Sequence, residues 1–191
     1  MSEPVTSGHA LVVVPYGSDG LSSSAYLAFE GLRQHLVAGR QGHPWCRWAV
    51  YALDTGTFYV SDGRGLALET LEQIVKLLAD TFVALSETNA TQNKNQMTLT
   101  LLIDSKYSSD AMEHAVQDTR RTLLERGLMV GVLHPRSELF ALSEGPPGVP
   151  YRTAACFITV RWAVRADTLF VSGNPILEQL LDEWLQLQAA R

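Results

Sequence analysis

The 191-residue sequence is poor in the features that announce a specialised class of protein. Cysteine occurs only at Cys46 and Cys156, too little for a disulfide framework or a four-thiolate metal site, and sparse thiols suit a reducing, cytoplasmic setting. Positive charge is not in excess: 15 Lys and Arg stand against 20 Asp and Glu, a net charge of -5. Without a basic field, neither a phosphate backbone nor an anionic membrane surface is an expected partner. Long apolar runs are missing too. The stretch Ala10 to Val14 is shorter than a signal-peptide core, and nothing approaches the roughly 20 residues of a membrane-spanning helix. Familiar catalytic signatures are also lacking: there is no glycine-rich phosphate cradle, no His-x-x-x-His pair and no Gly-x-Ser-x-Gly elbow.

What is present is an ordinary globular composition. Hydrophobic residues make up 46% and charged residues 18%, and the length favours one domain over residues 1–191. Four amphipathic helices are expected. Tyr26, Phe29, Leu32 and Leu36 recur at helical steps, with Gly39 as a stop. Leu68, Leu71, Val75, Leu78, Phe82 and Leu85 form the most regular stripe. Asp110-Ala-Met-Glu113 resembles a capping box opening a helix that Gly127 closes. Asn174-Pro175 reads as a cap with proline at the first helical position.

Strands are expected at Leu11 to Val14, Phe58 to Val60, Met97 to Ile103, Met129 to Leu133 and Cys156 to Val164, from period-two alternation and β-branched or aromatic content. The order of elements predicts an α+β domain, with helices packed on a central, largely antiparallel sheet. The proline-rich stretch from Pro135 to Arg152 reads as a long loop, the kind that often carries function.

Three places hold candidate functional residues. Gly42-His43-Pro44-Trp45-Cys46-Arg47-Trp48 gathers two indoles, a thiol and an imidazole, so Trp45, Cys46 and Trp48 either wall an aromatic pocket or fill the core. His134 is followed by Pro135, which pushes it toward an extended backbone and aims its ring from a strand end. That direction suits a metal ligand, and an ordinary polar residue at a strand terminus is the alternative. A third cluster gathers the cations Arg152, Arg161 and Arg165, with Arg136 at the loop start; Arg161 and Arg165 could hold a carboxylate in a bidentate grip, unless Asp167 neutralises one of them.

The run Gly127-Leu-Met-Val-Gly-Val-Leu-His-Pro-Arg-Ser137, the pair Val160-Arg161 with Arg165-Ala-Asp167, and Gly173-Asn-Pro-Ile-Leu177 together resemble the bacterial YqcI/YcgG family. That family includes haem-dependent N-oxygenases of the guanitoxin and cycloserine type. Pro44-Trp45-Cys46 is similar to its N-terminal cysteine motif. A related group of bacterial domains with Cys-Pro-Phe and Phe-His-Pro motifs is similar at the same places.

The resemblance implies haem b as cofactor and His134 as its axial iron ligand. It further implies Trp45, Cys46 and Trp48 beside the macrocycle, and Arg161 or Arg165 paired with propionates or with a substrate carboxylate. The implied activity is oxidation of a nitrogen on a small amine or amino-acid-like substrate. A non-catalytic haem sensor and a haem-free protein-interaction domain are the alternatives. The apolar helix stripes leave room for a homodimer interface.

Overall fold

A computed structural model describes residues 10–38, 47–89, 96–136 and 152–190. In chain order the elements are β1 (Val13–Pro15), α1 (Ser23–Ala38), α2 (Arg47–Asp54), β2 (Phe58–Asp62), α3 (Leu71–Thr88), β3 (Thr98–Ile103), α4 (Ser109–Glu125), β4 (Leu128–Leu133), β5 (Cys156–Trp162), a short 3-10 turn (Arg165–Asp167), α5 (Thr168–Val171) and α6 (Pro175–Ala189). The strands form one sheet in the order β1-β2-β3-β5-β4. Only β2 and β3 run parallel, because α3 carries the chain back between them; the other three pairings are antiparallel. The chain is thus an α+β domain with the largely antiparallel sheet its sequence pattern predicts.

Alternation along the strands divides the core between the two sheet faces. Leu99, Leu101, Ile103, Val130, Val132, Ile158 and Val160 point to one face, where they meet Ile74, Leu78 and Phe82 of α3 and Met112 and Val116 of α4. Phe58, Val60, Leu102 and Phe157 point to the other and meet Ala25, Phe29 and Leu32 of α1 and Ala49 and Ala52 of α2. Burying side chains of this size stabilises by about 1.5–3 kcal/mol each before entropy is charged against it. β3 lies at the centre with all six residues buried, Thr98 and Thr100 included. Thr100 shares a hydroxyl hydrogen bond of 3.0 Å with Thr159 across the β3–β5 pair.

Two helical expectations need correction, and one helix was not expected. The stripe beginning at Leu68 enters its helix only at Leu71, because Thr70 and Gln73 form a capping box there. On α4 the cap is Ser108, whose hydroxyl accepts from the Ala111 amide at 3.1 Å. The expected Asp110–Glu113 box therefore does not form: Asp110 falls in the first turn, and Glu113 is left to project elsewhere. The segment around Trp48 is helical, an element the sequence pattern did not suggest, since α2 spans only eight residues.

Other boundaries agree. Asn174 caps α6 by accepting from Leu177, with Pro175 at the first position. Gly127 ends α4 with φ of +73°, and a Cβ there would lie 2.3 Å from the Trp184 indole of α6. Trp184 in turn stacks on Trp162 of β5, centroids 5.5 Å apart and 13° from parallel, which docks α6 against the sheet. Gly39, and residues 137–151 of the expected long loop, lie outside the described residues.

Candidate functional site

β3 and β4 leave the sheet at one end, where β5 enters it. His134 is the first residue beyond β4. It makes a parallel bridge to Arg152, and its carbonyl accepts from the Thr153 amide. Five residues separate the end of β3 from the start of α4, and the first two turns of α4 lie beside His134.

His134 is 1% exposed, and a buried imidazole must have its polar atoms satisfied. Both are. The amide of Arg136 donates to Nδ1 at 3.2 Å, which makes Nδ1 the lone-pair nitrogen and puts the proton of the neutral ring on Nε2. Nε2 donates that proton to Glu113 Oε1 at 2.8 Å. Glu113 reaches it because Ser108, and not Asp110, caps α4.

The two partners differ in access. The His134 side chain is 2% exposed and that of Glu113 is 42% exposed, so a small molecule arriving from solvent meets the carboxylate. The imidazole stands behind it as the group that fixes its direction.

A cation and a thiol complete this end. Arg136 turns back so that its Nε donates to the buried Ser109 hydroxyl at 3.4 Å. Cys156 opens β5 half-buried; burial pushes its thiol pKa up, and the Arg136 charge partly opposes that shift. Among the described residues, no group of three or more His, Cys, Asp and Glu side chains could hold a metal ion. No described helix is long and apolar enough to cross a membrane.

The remaining sequence candidates do not gather here. Trp45 and Cys46 lie outside the described residues. Trp48 is half-buried on α2, with its ring tilted against Tyr51, centroids 6.4 Å apart. Arg161 lies at the far end of the sheet, opposite Met129 and Thr98 in register. Trp162 is six residue steps along the strand from Cys156, a span of roughly 20 Å at ordinary strand rise.

Arg161 is also spent. Its guanidinium grips the fully buried carboxylate of Asp167 through both terminal nitrogens, and one of these also donates to the Trp162 carbonyl. Its expected role as a grip for propionates or a substrate acid is corrected by this pair, the alternative that the nearby Asp167 had raised. Arg165 is exposed beside Trp162 and Trp184, at the same far end.

These positions bear on the implied haem. Iron needs a nitrogen lone pair, and in this arrangement the Nδ1 lone pair is taken by the Arg136 amide while Nε2 carries the proton given to Glu113. As placed, His134 offers no vacant nitrogen, and the other residues assigned to the macrocycle that are described lie on α2 or at the opposite end of the sheet.

Sequence reasoning missed Glu113 as a site residue. Its apparent place in a capping box hid it, and the signal that could have found it is Ser108, an equally good cap two residues earlier.

A family model described as Domain of unknown function (DUF6875) matches residues 25–189. No curated protein matches the chain significantly, and no solved structure does.

Proposed function

The chain belongs to the family described as Domain of unknown function (DUF6875), and from the geometry of its His134 end we propose that it is an enzyme acting on a small acid, amino-acid-like in size, in a cytoplasmic setting. The observation that carries this reading is a half-exposed Glu113 carboxylate held from behind by a buried imidazole, with the Arg136 cation packed on the same helix start. Such a carboxylate has a fixed direction and can take a proton from a bound substrate, with His134 as its positioning residue. Arg136 supplies the charge that attracts the substrate's acid group.

Thermal melts with a panel of amino acids and small organic acids test this. A ligand at a hundredfold excess over its Kd adds about 2.7 kcal/mol, which for a chain of this size is a shift of roughly 5–10 °C. For aliphatic acids the shift should vanish in Arg136→Gln and persist in Arg121→Gln, an exposed guanidinium elsewhere on α4. A panel in which no acid moves the melt, or moves native and Arg136→Gln protein alike, removes the reading.

A second reading is the haem-dependent N-oxygenase that the resemblance implies, acting on a small amine or amino acid. One observation favours it: Glu113 is the exposed partner of the pair, so its departure would bare Nε2 at the surface. Iron there would also require the ring to give up the Nε2 proton while Nδ1 still faces an amide N–H. An absorbance spectrum of protein expressed with a haem precursor decides between the two readings. A Soret band that is lost in His134→Ala establishes the second, and a featureless spectrum leaves the first.

A further inference from the structure

A separate hollow opens at the opposite end of β5. It is a cavity of about 220 Å³ walled by Trp162 and Trp184, floored by Ala163 and Val164, and rimmed by Arg165 and Gln188. We propose that it binds a small planar carboxylic acid, its ring against the two indoles and its carboxylate on Arg165.

The polar inventory of the cavity supports this. Most groups in its floor and walls are already satisfied within the protein. The Trp184 indole N–H donates to the Ala163 carbonyl at 3.1 Å, the Ala163 amide donates to the Gly127 carbonyl at 2.8 Å, and the Val164 amide donates to Asp167 at 2.8 Å. Asp167, three residues beyond Val164, is neutralised by the Arg161 fork, so its charge does not oppose an anion at the floor.

What remains is the rim. Among the described residues, the Arg165 guanidinium and the Gln188 amide have no hydrogen-bond or ion-pair partner. An apolar, aromatic-walled hollow with a single guanidinium at its edge selects a ligand that is flat and apolar at one end and anionic at the other.

Size narrows the class further. Ligand sites for drug-sized molecules run to roughly 300–1,000 Å³, so a cavity of about 220 Å³ suits a one- or two-ring acid. The pairing of the walls is the second constraint: Trp162 is held between Phe82, at 5.5 Å, and Trp184, so the two indoles hold each other in place without a ligand. This inference is independent of the proton-transfer reading of the His134 end, since the two places share no residue.

Intrinsic tryptophan fluorescence, with benzoate and indole-3-acetate as probes, is the measurement; indole, which lacks the acid, is the control. Saturable binding is expected at or below a Kd of about 1 mM, ordinary ligand efficiency for acids of this size. Removing the charge in Arg165→Gln should weaken the acids roughly tenfold and leave indole unchanged. Filling the rim with Gln188→Trp should abolish binding of all three without touching the core, with calorimetry as the readout because that variant adds an indole. His134→Asn should bind both acids normally, which separates this site from the other end. Absence of saturable binding by the native chain overturns the proposal, as do equal affinities in native and Arg165→Gln protein or undiminished binding in Gln188→Trp.

Discussion

Substitution of Asp167 by Asn should be among the most damaging single changes available in this chain. Asp167 is 0% exposed and accepts from both terminal nitrogens of Arg161 and from the Val164 amide. The Arg161 side chain is 17% exposed, so its charge is held mostly out of water and depends on that carboxylate. Taking the negative charge away leaves the guanidinium orphaned, a penalty of about 3–5 kcal/mol for a buried pair. Domains have only about 5–15 kcal/mol to lose. At roughly 2–4 °C per kcal/mol for a chain of this length, the melting temperature should fall by about 6–20 °C.

Urea titration followed by fluorescence gives the free energy, and a thermal melt gives the shift. The double variant Arg161→Met, Asp167→Leu should recover most of the loss, since removing both charges leaves none uncompensated. The loss should also depend little on salt, because Debye screening acts weakly on a buried pair. A single variant within 1 kcal/mol of native, or a double variant worse than the single, would refute the assignment of this pair as a buried, mutually dependent unit.

Two further outcomes follow from local geometry. Gly127→Ala should cost roughly 2–4 kcal/mol, because an L side chain is strained at φ of +73° and its Cβ would press into the Trp184 indole; a urea midpoint unchanged from native would contradict the docking of α6 described above. Acid stability should depend on Glu30. Hydrogen bonds from Arg33, then from Tyr16 and Gln34, lower its pKa from 4.5 to about 2, while burial and Glu30 together push the Tyr16 hydroxyl up to about 12. A depressed carboxylate adds stability that is complete above its unfolded value and drains away as pH falls from about 4.5 toward 2. Glu30→Gln should flatten the stability curve across that window and leave its slope at neutral pH alone, as read by urea midpoints at a series of pH values.

Much of the fold was legible because its long elements carry their period in the residues themselves. The stripe of α3 packs as its spacing demands, β3 falls where its alternation placed it although both of its faces are buried, and Gly127 and Asn174-Pro175 mark the helix ends they resemble. α2 escaped because eight residues complete barely two turns, too few to separate a helical stripe from an aromatic cluster. The site was half legible. His134 could be aimed from Pro135, yet its partner lies on another element, and a capping box and a site carboxylate look alike in a linear sequence. Arg161 was the mirror case: Asp167 stood six residues away in plain sight, but only the turn at Arg165–Asp167 brings the two together.

The order β1-β2-β3-β5-β4 also bears on how the chain is made. β3 is the most thoroughly buried strand, yet one of its two neighbours, β5, is encoded beyond α4 and β4. At elongation rates of about 5–20 residues per second, the apolar edge of β3 stays open for several seconds after it is synthesised, awaiting its partner. The nascent chain therefore passes through an interval in which its central strand is a template for wrong pairing, and chaperone dependence would be set by that wait rather than by the stability of the finished domain.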